Sequence, residues 1–493
     1  MKGEWRGMNS FLSKTDVRKL LLIHTIEESF QQKVSISDLK EKMGVSEFIL
    51  LNTYEELKQD ILKYQLDEQL QIQKLNQVVQ LKKNSSFSTD TLKNLYVKES
   101  LGFQIIQDVF EDMFTNSNDY ADLFYTSRTK VYSKVNQLKA KLEKLGIKLS
   151  SRFKLVGDEI AIRTYINNLY TSVYGMNDYP FSTTLKEQSM RFIKLIETKM
   201  DIYMTQTSTT KLLYFISICR IRIENEQFVK NAPATITGLE SDSFEDILKE
   251  TYQEVFNEKV SHNEIDLLVL FIESLDEFPL ELENQELDSL TNFFITEFQK
   301  QFGNLDETFF KEELINELVK IHYPVLNFNC LQTELDVPVR ARFIEENYPE
   351  VLEFCRHFIQ KASKSKKFYL INQNDVYLSN HYIFLLINVL PPSFFSYPVK
   401  VCIDFSLGKN YNQFIYRNIQ TFDFINIEIS HQLTEDIDIL LCDYPISGLH
   451  QDTKVIVWSA PPTAGDWAKF GRCIATAKGK KPLKKGGIPL ELF

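Results

Sequence analysis

Hydrophobic positions near the start of the chain recur at helical spacing, with short polar turns between the stretches. In residues 15–62, DVRKLLLIHTIEESF and SISDLKEKMGVSEFILLNTYEELKQDI carry apolar side chains three and four positions apart, and the second stretch breaks at Gly44. Ser37 and Ser46 stand where helix N-caps are expected. Residues 70–83 alternate apolar and polar positions, which predicts a β-hairpin. Three helices followed by a hairpin predict a winged helix-turn-helix.

The same plan recurs in residues 101–157. The predicted elements are a helix near Leu101–Phe114, a short helix over 119–124, a turn at Tyr125 and Thr126, and a longer helix capped by Ser127 and ended by Gly146. One face of the longer helix is an apolar stripe of Val131, Val135, Leu138, Leu142 and Leu145. The sequence IKLSSRFKLVG then predicts a second hairpin.

The rest of the chain divides into a part with helical patterns and a later part with short β runs. Residues 158–393 carry amphipathic stretches typical of helices. Short β runs follow at 399–406, 424–430, 437–445 and 454–460, with a helix-compatible stretch between the first two, so a small α/β domain with a parallel sheet is expected. Residues after about 471 are basic and glycine-rich, which predicts a disordered tail. The expected fold is mainly α and multidomain.

Charge is distributed very unevenly. The chain carries a formal net charge of −11. Residues 126–156 nevertheless hold nine Lys and Arg against the single acidic residue Glu143, a net of +8. Residues 237–290 hold sixteen Asp and Glu against Lys249 and Lys259, a net of −14. A basic island in an acidic chain indicates a local anion-binding surface.

The basic island falls on the second predicted helix-turn-helix, so duplex DNA is the expected partner. The expected DNA contacts combine cations with small polar side chains: Ser127, Arg128, Thr129, Lys130, Ser133, Lys134, Asn136, Gln137 and Lys141 on the helix, and Arg152 and Lys154 on the hairpin. A solvated basic face is the alternative interpretation. The first unit offers Ser46, Asn52 and Thr53, but acidic residues crowd its third helix. Direct DNA contact and a packing role both stay open there.

Other sequence features exclude several classes of protein. None of the six cysteines forms a CxxC pair or lies near a histidine at zinc-binding spacing, so buried, reduced thiols and no metal or cofactor are expected. No apolar run approaches the roughly 20 residues of a membrane span, and no signal peptide is evident, so we expect a cytoplasmic protein with no membrane partner. P-loop, GxSxG, HExxH and GxGxxG motifs are absent, so no enzyme is predicted.

The second helix-turn-helix resembles a known family. The segments YVKESLGFQIIQDVF and YADLFYTSRTKVYSKVNQLKAKLEKLGIKLSSRFKLVGDEIAIRTYINNLY are similar to the Mga-type stand-alone regulators, the group that includes AtxA-like virulence activators. In this family and in BglG-type proteins a G-x-E-x-x-I/R stretch joins the winged helix to a PTS-regulation domain (PTS, sugar phosphotransferase system). Gly157, Glu159, Ile162 and Arg163 match that stretch. Residues 212–226, 344–358 and 399–460 resemble, in turn, a first PTS-regulation domain, a second one and an EIIB-like domain.

This resemblance implies an order of domains and a function. The implied domains are a winged helix-turn-helix at 10–88, a second at 89–160, PTS-regulation domains at 161–285 and 286–393, an EIIB-like domain at 394–475, and a tail at 476–493. The implied function is activation of transcription by a homodimer or higher oligomer that is sensitive to DNA shape. Implied further partners are RNA polymerase and the HPr and EII phosphocarriers, which would phosphorylate histidines.

The chain departs from the family pattern at two places. Enzymatic EIIB domains carry a nucleophilic Cys in the loop after the first strand, whereas here the loop is Ser406-Leu407-Gly408-Lys409 and Cys402 falls within the strand. Phe271 stands where BglG-type domains have a regulatory His. The remaining phosphorylation candidates are His262, His322 and His381, and each requires an exposed imidazole.

Three alternative functions remain open from sequence. An RNA-binding antiterminator would share the regulatory domains, but here about 150 residues of winged-helix pattern precede them. A phosphotransfer component of the sugar-uptake system would need the missing loop cysteine. A structural scaffold would show no salt-dependent affinity for DNA.

Overall fold

The structure, a computed structural model, forms two units along the chain. They comprise residues 1–283 with 323–337, and residues 284–322 with 338–493. Placement is described for residues 11–29, 32–176, 178–230, 241–275, 277–278, 285–303, 308–333, 335–336, 344–345, 348–395, 397–422, 425–444 and 453–480. The protein is mainly helical, and a parallel sheet lies near the end of the chain, which confirms the expected fold class.

The first winged helix-turn-helix has the predicted order of elements. It consists of α1 (Lys14–Glu27), β1 (Lys33–Ser35), α2 (Ile36–Met43), α3 (Glu47–Lys63), β2 (Leu70–Leu75) and β3 (Val78–Lys83). The hairpin predicted over 70–83 is β2 and β3, and β1 adds to it, giving an antiparallel sheet in the order β1-β3-β2.

The helix starts show one correction. The Ser46 side chain caps α3, as predicted, and Gly44 ends α2 in the left-handed conformation. The predicted cap Ser37 is wrong, because the Ser35 hydroxyl accepts the hydrogen bond from the Asp38 backbone N–H at 3.1 Å. The unpredicted strand β1 runs directly into α2 and therefore moves the cap two residues upstream.

The second winged helix-turn-helix is also present. It consists of α4 (Thr89–Glu99), α5 (Leu101–Phe110), α6 (Ser117–Leu123), α7 (Arg128–Leu142), β4 (Ile147–Leu149) and β5 (Leu155–Gly157). The helix predicted to reach Phe114 ends at Phe110, because Asp112 adopts a positive φ of 58°. Phe114 is buried beyond that end, with its ring centroid 4.5 Å from Tyr120 and 4.7 Å from Phe153.

Helices complete the first unit. They are α8 (Glu159–Tyr174), α9 (Thr183–Met200), α10 (Gln206–Glu224), α11 (Ser241–Phe256) and α12 (His262–Glu273). One continuous apolar core runs from the two winged modules into α8 and α10. Residues 323–337 return to this unit, where Tyr323 donates a 2.5 Å hydrogen bond to Glu273 and the Asn168 amide donates to the Cys330 carbonyl at 2.7 Å.

A buried charge network joins the second wing to these helices. Glu159 accepts hydrogen bonds from Arg163 at 3.0 Å and from Arg222 at 2.7 and 2.8 Å. Arg163 also forms a two-point ion pair with Glu264, and Arg222 donates to the backbone carbonyl of Leu155 in β5 at 3.3 Å. All four charged side chains are buried, and their formal charges cancel. The network therefore links β5, α8, α10 and α12.

The second unit begins with an aromatic helical bundle. Its helices are α13 (Gln285–Phe302), α14 (Thr308–Asn327), whose last residues belong to the first unit, α15 (Pro349–Ala362), α16 (Asp375–Val389) and α17 (Pro392–Phe395), with a 3-10 segment at Lys366–Gln373. The Phe294 ring lies 4.7–5.2 Å, between centroids, from the rings of Tyr382, Phe358 and Phe354. Such aromatic contacts hold the bundle together.

The predicted small α/β domain ends the described chain. It consists of β6 (Val399–Asp404), α18 (Lys409–Ile419), β7 (Ile427–Ser430), β8 (Ile439–Cys442), β9 (Lys454–Val457) and α19 (Ala464–Lys480). The strands are parallel and lie in the order β7-β6-β8-β9. Every predicted β run thus contains a strand, and the predicted helix lies between the first two.

The disordered tail predicted after residue 471 is wrong as far as residue 480. These residues continue α19, and Phe470, Cys473 and Ile474 are buried against the sheet core. Trp467, Phe470 and Ile474 are separated by three and four positions, which is helical spacing. The basic, glycine-rich composition of the segment obscured this pattern. Residues 481–493 lie outside the described part of the chain.

Two further features agree with the sequence. All six cysteines are buried and unbridged. Within the described residues, no helix combines the length and apolarity that crossing a membrane requires.

The buried network predicts a large cost for removing one charge. Arg163→Met should lower the free energy of unfolding of the first unit by about 3–5 kcal/mol, because Glu264 would stay buried without its cation. Hydrogen exchange of α8 and α10 peptides, read by mass spectrometry, measures the change. Arg191→Met is the matched control, since Arg191 pairs with Glu254 at the surface, and a change below about 1 kcal/mol is expected there. Equal effects of the two variants would contradict the assigned role of the network.

Candidate nucleic-acid interface

Helix α7 lies with one face in the core and the other open to solvent. The buried face contains the predicted stripe, of which Val131, Val135, Leu138 and Leu142 are each at most 5% exposed. The fifth predicted member, Leu145, is only partly buried. The Ser127 hydroxyl caps the helix by accepting from the Lys130 backbone N–H at 3.3 Å. Gly146 then ends the segment after a short 3-10 turn. Anchored in this way, α7 presents a fixed outer surface.

The predicted contact residues occupy that outer surface. Ser127, Arg128, Thr129, Lys130, Ser133, Asn136 and Gln137 are exposed, and so are Arg152 and Lys154 on the β4–β5 wing. Lys134 and Lys141 are half-buried at the flank of the helix. Burial, and then the charges of Lys141 and Lys130, lower the pKa of Lys134. This mutual repulsion concentrates positive potential, which a bound anion would relieve.

Three cations of this surface form no ion pair with an acidic residue that the structure describes. No Asp or Glu in the described part of the chain forms an ion pair with Arg128, Lys130 or Arg152. Lys154 differs, because its Nζ lies 3.1 Å from a carboxylate oxygen of Asp112. The side chains of Lys154 and Asp112 are 55% and 33% exposed, so the pair contributes little and a phosphate can compete for Lys154.

Two aromatic residues of this surface escaped the sequence prediction. Tyr125, in the turn before α7, is 98% exposed with a φ of 46°, and Tyr132 is 62% exposed on the helix. Tyr132 follows Thr129 by three positions and precedes Asn136 by four, which places it on the same outer face. This helical spacing could have identified Tyr132 from the sequence. The sequence around Tyr125 indicated only a turn.

The wing depends on one close backbone approach. Gly157 ends β5 with a φ of 133°, opposite Ile147 in β4. A Cβ at this position would lie 2.5 Å from the carbonyl oxygen of Gly146. Glycine at residue 157 therefore lets the wing close against the end of the α7 segment.

The first helix-turn-helix offers a weaker surface. Ser46 and Asn52 are exposed, but the prediction for Thr53 is wrong, because Thr53 is 1% exposed and its hydroxyl donates to the Ile49 carbonyl at 2.7 Å. Glu47, at the start of α3, pairs with Lys40 at 3.1 Å. Asp60 of α3 accepts hydrogen bonds from Lys19 and from Tyr96 of α4, which joins the two modules. These contacts favour packing as the main role of α3.

The three candidate histidines differ sharply in exposure. His322 is completely buried between the Thr291 and Tyr382 hydroxyls, 2.9 and 2.7 Å from its ring nitrogens, and burial lowers its pKa to about 3. It lacks the exposed imidazole that phosphorylation requires. His262 is 65% exposed, and His381 is also exposed, with its Nδ1 2.8 Å from the Tyr377 carbonyl oxygen.

Two positions that depart from the family pattern are structural. Phe271 stacks on Phe215 with 3.7 Å between ring centroids, so this position serves the core. Cys402 lies in β6, and burial raises its thiol pKa to about 11. In the following loop, Ser406 donates from its backbone N–H and hydroxyl to Asp443. This geometry provides no activated cysteine for phosphotransfer.

Comparison with known proteins agrees with the resemblance seen in the sequence. Residues 85–170 match the family model of the Mga helix-turn-helix domain, so this region is a Mga-type helix-turn-helix. The chain is similar to the capsule synthesis positive regulator AcpA of Bacillus anthracis, with 25% identity over 282 residues, 56% of this chain and 53% of AcpA. It is 28% identical over 125 residues to the capsule synthesis positive regulator AcpB of the same organism, covering 25% of this chain and 26% of AcpB. The matched regions thus span about half of AcpA and a quarter of AcpB.

The geometry of the wing predicts a specific sensitivity. Gly157→Ala should destabilise the second winged module by roughly 2 kcal/mol or more, because the new Cβ collides with backbone and φ is unfavourable for alanine. Hydrogen exchange of the 147–157 peptide measures the effect. Gly471→Ala in α19 is the control, since nothing lies within 4 Å of its added Cβ, and no loss is expected. Unchanged protection of the wing in Gly157→Ala would refute the close approach.

Proposed function

We propose that this chain is a DNA-binding transcription regulator that acts as an activator. The observation that carries the proposal is the exposed outer face of α7, where Arg128 and Lys130 lack acidic partners in the described part of the chain. Helix and wing together match the way winged helix-turn-helix proteins dock, with the helix in the major groove and the wing against the backbone.

Side chains at the start of α7 and further along it suit different parts of duplex DNA. Arg128 and Lys130 at the helix start suit phosphates, helped by the positive end of the helix dipole. Ser133, Asn136 and Gln137, further along, suit base edges, which offer donors and acceptors in the major groove. Tyr132 adds apolar area between them.

Activation and self-association extend the proposal beyond the interface. AcpA and AcpB are named positive regulators, and their similarity to this chain supports the same direction of control. The C-terminal parallel sheet, β7-β6-β8-β9, is the module proposed to pair two copies as an EIIB-like domain. The helical stretches before it are proposed as PTS-regulation domains that receive phosphate from HPr or EII carriers.

Salt-dependent DNA binding tests the central claim. Arg128→Ala/Lys130→Ala should weaken binding to every duplex sequence and make the slope of log affinity against log salt shallower by about 1.8, because each lost phosphate contact contributes about 0.9. Fluorescence anisotropy of a labelled duplex across a series of KCl concentrations gives the slope, with an RNA hairpin as the competing ligand.

The matched control is Lys194→Ala/Lys211→Ala, which removes two exposed lysines from α9 and α10. It removes the same charge and should leave the slope unchanged. Equal slopes for both double variants would exclude α7 as the phosphate-contacting helix, and preference for the hairpin would favour an antiterminator.

Exposure predicts which histidines can take phosphate. Incubation with phosphorylated HPr should label His262 or His381, the two exposed members of the three candidate histidines. The double variant His262→Ala/His381→Ala should lose the label, because the third candidate, His322, is inaccessible. Acid-labile phosphate measured on tryptic peptides locates the site. Label on the His322 peptide of the folded protein would contradict the prediction.

A further inference from the structure

Three potential metal-binding side chains meet where α11 and α12 pack together. Glu245 lies on α11, and His262 and Asp266 lie one turn apart on α12. One donor atom from each of the three lies within 4.8 Å of the others. The His262 Nδ1 is 3.5 Å from a Glu245 oxygen, and its Nε2 is 3.6 Å from Asp266 Oδ1.

Asp266 provides an independent indication of a ligand. Its side chain is only 10% exposed, and its Oδ1 has no hydrogen-bond partner within the described chain. That atom points into the cluster, towards the His262 ring. A buried carboxylate oxygen without a donor is costly unless a cation occupies the space beside it.

The separations suit a single ion. Ligand atoms around a metal with bonds of about 2.0–2.2 Å lie roughly 3–3.5 Å apart. One donor atom from each of the three residues lies here within 4.8 Å of the others, so small side-chain movements bring them to metal-binding distance. Because the two ring nitrogens face different carboxylates, the imidazole must turn to present one nitrogen, and its 65% exposure allows that turn. Lys249, 40% exposed, now lies 3.3 Å from Glu245 and can move into solvent as the ion arrives.

We propose that Glu245, His262 and Asp266 form a binding site for a divalent first-row transition metal such as Mn²⁺, Fe²⁺ or Zn²⁺. One imidazole nitrogen and two carboxylates suit these ions better than Ca²⁺ or Mg²⁺, which prefer oxygen alone. The two carboxylates balance the charge of the ion. Positions left open by three protein ligands would hold water.

The site also has a structural consequence. Its two ligands on α12, His262 and Asp266, flank Glu264, the residue that binds Arg163 in the buried network. A bound ion fixes the first turn of α12 to α11 and so restrains Glu264. Metal binding and phosphorylation compete for His262, because both use its imidazole.

Titration of the full chain with Mn²⁺ tests the site. Loss of the free-ion paramagnetic resonance signal should report one equivalent bound, and His262→Ala and Asp266→Asn should each weaken binding at least 10-fold. Glu250→Gln, an exposed carboxylate on α11, is the matched control and should bind like the parent. Binding that is absent, or equal in all four proteins, would overturn the proposal.

A second readout guards against misfolded variants. Co²⁺ should give visible d–d bands of an imidazole–carboxylate site in the parent and in Glu250→Gln, and His262→Gln should lose them while keeping the parent's circular dichroism. Bands retained in His262→Gln would refute the site. None of these results depends on DNA binding, so failure here leaves the proposed function untouched.

Discussion

A set of buried charges holds the winged part of the first unit to its helical part. Taking Arg163, Arg222, Glu159 and Glu264 out of water costs several kcal/mol per ion, and the cost is offset only while every partner is present. The hydrogen bond from Arg222 to the Leu155 carbonyl brings the wing strand into the same network. The position of the wing relative to α8, α10 and α12 is therefore set by directional bonds as well as by apolar packing.

The two winged modules share a similar plan but differ in the charge that they expose. The second module presents α7 with cations outward and an apolar stripe inward. In the first module, Asp60 of α3 accepts hydrogen bonds from Lys19 and Tyr96. The exposed positions of α3 include Glu55 and Glu56, which repel phosphate. The proposed contact with DNA is therefore assigned to the second module, although the chain as a whole carries −11.

The sequence predicted the features that depend on residues close together in the chain. The α7 stripe, the Ser127 cap and both hairpins were evident from spacing and turn residues, because each forms within a few positions. Tertiary contacts decided the rest. Thr53 is polar but turns its hydroxyl to its own helix, and His322 is buried by aromatic residues distant in sequence. The helix at 464–480 was missed because its composition looked unstructured while its apolar spacing fitted a sheet surface that sequence does not display.

The first turn of α12 combines the exposed His262 with the neighbouring carboxylates of Glu245 and Asp266. A ligand can therefore act on the helical region at this turn. Phosphate on His262 would add negative charge beside Glu245 and Asp266, so it would push α11 and α12 apart. A divalent cation at the same imidazole would neutralise those carboxylates and draw the helices together. Both events fall within one turn of Glu264, whose ion pair with Arg163 leads to α8 and, through Glu159 and Arg222, to the wing. Phosphate and a divalent cation would thus have opposite effects on the contact between α11 and α12, and through Glu264 on the buried charge network. His262 can hold only one of them at a time.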